Sequence, residues 1–272
     1  PPEPVLVKPL ELKPEDHEVF NGVRVPRFVP AEIVGDGHDG LRHVAPEVLI
    51  AAHRQTIQMI LSSFVGTRAI PEFDRRMTEI IGRFAANVST LPASRQGHHA
   101  GPGGLFAHTL DVAHKAIVMS SGYNLTFDSP AELRGDNNLA WQLVVFFSAL
   151  LHDIGKVQSL GRVVARTVYV SDAEGTERGG MAPVTPIYWR PQVCTFARWA
   201  EVFKVDTYIL DHAPPQKGAR HETFAARYLE RIIPSEFLGF IYESHRNVVR
   251  QFEDFIDNPI SASTAELFTL IK

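Results

Sequence analysis

The sequence turns on one short run, Ala149-Leu150-Leu151-His152-Asp153-Ile154-Gly155-Lys156. The stretch leading into it, Leu139 to Leu151, is apolar on nearly every helical side, with Leu139, Trp141, Leu143, Val144, Val145, Phe146 and Phe147. A segment of that kind is stable only as a buried central helix, read here over about 139–154. It carries an imidazole and a carboxylate, side by side, into the interior. Neighbouring helical side chains point about 100° apart, so the two meet at one ion only where the helix ends, and Gly155 is read as supplying that end. Burying the pair without compensation would cost several kcal/mol. A metal ion or a tight salt-bridge network must compensate it, and an imidazole with a carboxylate suits Zn, Mn, Fe or Co. Lys156 is too close in the chain to be a further ligand and is placed to neutralise a phosphate.

A second informative stretch runs from Leu91-Pro-Ala-Ser94 through His98-His99 and Gly103-Gly104 into Leu105-Phe-Ala-His108-Thr-Leu-Asp111. His98 and His99 stand in a Gly/Pro loop with little apolar content, so packing in a core does not account for them. The helix that starts near Gly104 carries His108 and Asp111 one turn apart on a shared face. With a His-Asp pair downstream, His108 is read as a metal ligand.

The remaining segments frame these two. Residues 1 to about 45 are proline-rich and are expected to wrap the surface irregularly, apart from a domain spanning 46–272. Pro46 and Pro71 open two amphipathic helices in which His53 and Arg75-Arg76 read as surface groups. Residues 122–138 form a polar connection. From about 162 to 190 the helical period gives way to a β-hairpin inserted in an α domain. Arg162-Val-Val-Ala-Arg-Thr-Val-Tyr-Val170 is one strand and Val184-Thr-Pro-Ile-Tyr-Trp189 a candidate partner. Arg162, Arg166, Trp189 and Arg190 interleave basic and aromatic groups, as either a single-strand-binding surface or an ordinary solvated hairpin would. Helical pattern resumes from about 192, with Asp206–His212 read as the end of a helix. His221 opens an amphipathic helix, and one from about 235 carries His245 toward Asp254 and Asp257.

Composition excludes more than it assigns. A formal net charge of −4 gives no global basic field to attract nucleic acid. The single cysteine, Cys194, excludes an intrachain disulfide framework and fits a reducing cytoplasm. No apolar run reaches the roughly 18 residues of a membrane span. Beginning at Pro1, the sequence reads as a fragment of a longer polypeptide.

Collected in order, the candidate ligands are His108, His152, Asp153, His221, His245 and one of Asp254 or Asp257. This series resembles the HD-domain metal-dependent phosphohydrolase superfamily, with Ala149–Lys156 as a strong instance of its central motif. The resemblance implies an all-α helical bundle and a metal bound by His108, His152, Asp153 and a late Asp. His221 and His245 fall where two-metal branches place further histidines. Asp257 is preferred as the late Asp because Ser261 follows it. A narrower resemblance rests on Leu91–Ser94, His98-His99, Gly103-Gly104-Leu105 and His108–Ala113, supported by Val25–Pro30 and Trp189-Arg190-Pro191. It is to the MobH-class, TraI-like relaxases of integrating conjugative elements.

That resemblance implies one or two divalent transition metal ions, manganese favoured, and metal-activated water nicking one DNA strand at a transfer origin. Asp153 and Lys156 would act in catalysis, with His98, His99 and Lys156 on the scissile phosphate. Single-stranded or origin DNA and other conjugation proteins would be its partners. None of the six tyrosines stands in a nucleophile motif, although Tyr169, Tyr188 and Tyr208 stay open. The alternatives are a YhaM-like 3′–5′ exoribonuclease, a nucleotide phosphohydrolase and a structural metal-binding domain of a conjugation complex.

Overall fold

The residues described in the computed structural model are 13–27, 29, 40–94, 98–123, 130–171, 177–181, 185–211, 225–257 and 266–271. They form a mostly helical body with a small sheet, in accord with an α-helical domain carrying a β insertion. In chain order, β1 (His17–Phe20), β2 (Val23–Pro26) and β3 (Leu41–Arg42) precede α1 (Pro46–Ala52), α2 (Arg54–Ser62), α3 (Phe73–Val88) and α4 (Gly104–Ser120). Then come α5 (Arg134–Leu151), α6 (Lys156–Ser159), β4 (Arg162–Ser171), β5 (Glu177–Met181), α7 (Phe196–Val202) and β6 (Val205–Asp211). The chain closes with α8 (Ala225–Ile232), α9 (Ser235–Tyr242), α10 (Arg246–Asp257) and α11 (Glu266–Ile271). Among the described residues no helix is long and apolar enough to cross a membrane.

Helix α5 is the central element its sequence requires. Every residue from Leu139 to Leu151 is buried, and α4, α8, α9, α10 and α11 pack around it. One buried polar residue ties this helix to its neighbour. Gln142 accepts from the Val65 amide at 2.9 Å and donates to the Ser63 carbonyl at 3.0 Å, closing the α2 end against α5.

The sheet is larger than the hairpin read from sequence. Its order is β3-β6-β4-β5. The partner of β4 over Thr167–Ser171 is Glu177–Met181. The expected partner, Val184–Trp189, instead supplies a bridge from Tyr188 to Val164 on the same edge of β4. Residues 205–211, helical by the sequence reading, form the strand that pairs the other edge of β4. Val205-Asp206-Thr207-Tyr208-Ile209-Leu210 is rich in β-branched and aromatic residues, and Val205 and Tyr208 are buried. So short an apolar run has no decisive period of its own, and the sheet settles it.

The N-terminal wrap also has regular structure. β1 and β2 form a hairpin whose two-residue turn, Asn21-Gly22, has positive φ at both positions, the geometry that matches strand twist. Leu41-Arg42 joins β6 as an edge strand.

One cluster joins the sheet to the helices and a second ties its strands together. Phe196 on α7 packs at 4.8–5.5 Å centroid distances against Tyr208, Trp189, Trp199 and His43. Beside it the buried Asp206 accepts from Tyr169 at 2.7 Å, Arg42 at 3.1 Å and Thr167 at 3.3 Å, which ties β3, β6 and β4 together. His53 departs from the surface reading. It packs edge-on to Phe106 at 5.3 Å, and burial holds its ring below the ordinary histidine range against the pull of Asp111.

His43 gives a pH prediction. Burial lowers its pKa to about 4, with Asp206 opposing. The unfolded ring takes a proton near pH 6.5 and the folded ring does not until about pH 4. The fold therefore keeps its full stability above pH 6.5 and loses on the order of 3 kcal/mol from this group as pH falls to 4. Denaturant melts of the protein and of His43→Gln between pH 7 and 4 check it, and the unaltered protein should lose about 3 kcal/mol relative to the variant as pH falls.

Candidate metal centre

Helix α5 stops at Leu151 because the next residues form a turn and not because of a left-handed glycine. Gly155 has φ −63°, an ordinary right-handed value, and is buried. Successive three-residue hydrogen bonds, from Ile154 N to Leu151 O at 3.2 Å and from Lys156 N to Asp153 O at 2.9 Å, tighten the chain into α6. That turn swings Asp153 back toward its neighbour. His152 Nε2 lies 3.2 Å from Asp153 Oδ2, and His108 Nε2, arriving from α4, lies 3.2 Å from the same oxygen. Lys156 Nζ is 2.6 Å from that oxygen. Asp153 is nearly fully buried, the two histidines and Lys156 partly so.

The tautomer of His152 indicates what the centre is built to hold. Its Nδ1 is 2.6 Å from the Ala149 carbonyl, which can only accept, so the ring proton sits on Nδ1. In the neutral ring Nε2 then presents a lone pair to a carboxylate oxygen 3.2 Å away. Two electron-rich atoms at that distance repel unless positive charge lies between or beside them. Lys156 supplies one cation from one side. A divalent ion held by His108, His152 and Asp153 fits the remaining donors, and a backbone carbonyl fixing the ligand ring is the usual orienting arrangement in such sites. The ligating atoms of these three residues lie within 4.8 Å of one another.

A second group adjoins the first. His98, His99 and His108 also have ligating atoms within 4.8 Å of one another. The ring of His108 is 5.5 Å from that of His152, 5.3 Å from that of His99 and 6.0 Å from that of His98. The loop is pinned to the start of α4 by Ala93 N to His99 O at 2.9 Å, Gly103 N to Thr90 O at 2.8 Å and Leu105 N to Leu91 O at 2.9 Å. Asp111, expected to share a face with His108, faces His99 Nε2 at 3.5 Å.

The other sequence candidates are placed elsewhere. His245 stands just before α10, where its amide donates to Asn137 at 3.0 Å and its Nδ1 accepts from the Asn247 amide at 3.3 Å. Asp257 is exposed at the last turn of α10, and Asp254 pairs at 3.9 Å with Arg250. Among the described residues neither His245 nor Asp257 joins a ligand group of three or more. His221 and Ser261 lie outside the described residues.

Of the expected single-strand surface, Arg162, Arg166 and Arg190 are exposed. Trp189 is a correction. It is 5% exposed, packs on Phe196 and donates from Nε1 to the Cys194 carbonyl at 3.0 Å. The exposed aromatic is its neighbour Tyr188, 40% exposed, with the Arg162 guanidinium 5.3 Å over its ring. Alternation along an extended segment places adjacent residues on opposite faces, and Ile187-Tyr188-Trp189 carries that signal.

Fold and site together define a mostly helical protein with a buried histidine–aspartate centre able to hold a metal ion. A model of the TraI_2 family, described as "putative helicase", matches residues 40–267, which is 228 of the chain's 272 residues. The chain belongs to that family. No curated protein and no solved structure matches it.

Proposed function

We propose that this chain is a metal-dependent nuclease of the conjugative relaxase type, an HD-type phosphohydrolase that nicks one strand of DNA. The observation that carries this reading is the convergence of His108, His152, Asp153 and Lys156 where α5 ends. A divalent ion on His108, His152 and Asp153, manganese favoured, would lower the pKa of a bound water and offset charge on a phosphodiester. His108, His152 and Lys156 converge on a single oxygen of Asp153. Lys156 keeps a cation at the rim, where a phosphate oxygen would compete for it.

Membership in a family described as "putative helicase" supports action on nucleic acid. This stretch itself offers no phosphate-binding loop for a helicase motor. Its one Gly-Lys pair beside the metal centre, Gly155-Lys156, is followed by Val157 and has Leu150 where such a loop needs its first glycine.

Two of the three open tyrosines are engaged structurally. Tyr208 is fully buried against Thr90 with its hydroxyl pKa driven up by burial, and Tyr169 donates to Asp206. These contacts favour water over a tyrosine as the attacking group. Arg162 and Tyr188 form the surface on which a base would stack.

The test offers the protein circular single-stranded DNA and end-labelled linear RNA with Mn²⁺, beside Asp153→Ala. Cutting of the circle that Asp153→Ala abolishes is the expected result. A ladder receding from the RNA 3′ end with the circle intact would overturn the relaxase reading in favour of an exoribonuclease.

A further inference from the structure

The sequence offers His98 and His99 as contacts to a phosphate, but the geometry of His99 presents the opposite kind of group. Its Nε2 faces the Asp111 carboxylate at 3.5 Å, which favours the ring proton on that nitrogen. Its Nδ1 is then the acceptor, and among the described residues it is buried without a hydrogen-bond partner. A lone pair repels phosphate oxygens and binds cations. The backbone is committed to this placement: His99 is held at φ +58°, a left-handed conformation rare for a side-chain-bearing residue. Strain of that sort, costing on the order of 1–3 kcal/mol, gathers at ligand-holding positions.

We infer that His98 and His99 form the outer half of a two-cation centre, with His108 common to both halves. The inference rests on the metal reading of the inner half. The inner half has two imidazoles and a carboxylate, and the outer half has imidazoles alone. An all-imidazole set selects Zn²⁺, Co²⁺, Ni²⁺ or Cu²⁺ over Mn²⁺ and Mg²⁺, which prefer oxygen ligands. A ring serving both halves would bind one cation through each nitrogen, as a bridging imidazolate, so the two cations would stand further apart than the roughly 3.5–4 Å of oxygen-bridged two-metal phosphodiesterases. The outer cation would sit beside the phosphate that the inner one engages, and the histidine pair would reach substrate through it.

Metal stoichiometry tests the inference without any assay of cutting. The metal-free protein is titrated with Zn²⁺ and, separately, with Mn²⁺ in a calorimeter. Bound metal is counted by elemental analysis after gel filtration, and the ligand field is followed through Co²⁺ absorption. The protein should take two equivalents of Zn²⁺ but one of Mn²⁺. The double variant His98→Ala/His99→Ala should take one Zn²⁺, and Asp153→Ala should lose the other.

His98→Ala, at an exposed position, guards against misfolding of the double variant and should weaken only the second equivalent, by at least about tenfold. Two Zn²⁺ equivalents surviving in His98→Ala/His99→Ala, or only one in the unaltered protein, would overturn the outer site alone. Metal content unchanged in Asp153→Ala would overturn the inner site. No bound metal in the unaltered protein would overturn both.

Discussion

Gly104→Ala is expected to dislodge the histidine loop and cost about 3 kcal/mol of stability. A Cβ at residue 104 would lie 1.9 Å from the His99 carbonyl oxygen and 3.2 Å from the Ala93 amide nitrogen. Both atoms belong to backbone that cannot rotate away, and they are the two ends of the hydrogen bond that pins the loop to the α3–α4 connection. The methyl group therefore breaks that bond or pushes α4 outward. Either way, the His98 and His99 rings leave His108.

The neighbouring glycine is the control. Gly103 has φ +73°, but a methyl group there would meet nothing within 4 Å. Gly103→Ala should cost only the left-handed penalty, roughly 1–2 kcal/mol, and leave metal binding intact. Urea melts and Zn²⁺ titration of the two variants separate the effects. Equal losses in both would show that crowding at residue 104 does not hold the loop.

How far the sequence reveals this molecule depends on how many independent constraints bear on each segment. Helix α5 is legible because thirteen consecutive positions leave no solvent face, and one conformation alone satisfies that pattern. His152, Asp153 and His108 are legible because buried polar groups need partners. The tautomer that aims His152 inward is not, since it depends on the Ala149 carbonyl of a helix end that only the folded chain defines.

Strand β6 escapes a sequence reading for a different reason. Its period is short, and its identity comes from β4 and β3 on either side. The β1–β2 hairpin carries a legible turn, Asn21-Gly22, that the surrounding prolines obscure. His245 is a candidate by its residue type and its place in a series. In the fold its Nδ1 accepts from the start of α10, work that a sequence series does not reveal.

Trp189 and Tyr188 give the sharpest contrast between neighbours, and the two should respond in opposite ways. Trp189→Ala removes a buried indole from the Phe196 cluster and leaves the Cys194 carbonyl without its donor. It is expected to cost about 3–5 kcal/mol in a urea melt. Tyr188→Ala removes a half-exposed ring whose backbone is already fixed, by Ala165 N to Ile187 O at 3.0 Å and Trp189 N to Val163 O at 3.0 Å. Stability should change by no more than about 0.5 kcal/mol.

Binding of single-stranded DNA, followed by fluorescence anisotropy at fixed salt, should weaken about tenfold in Tyr188→Ala, the equivalent of one lost stacked base. Arg162→Ala tests the same surface from its charged side. Its guanidinium covers the Tyr188 ring while pairing with Asp211 at 2.6 Å, so its removal should weaken binding and flatten the salt dependence. Unchanged DNA affinity in Tyr188→Ala would remove this face from the substrate path and leave the strand to be held at the metal centre and by the loop above it.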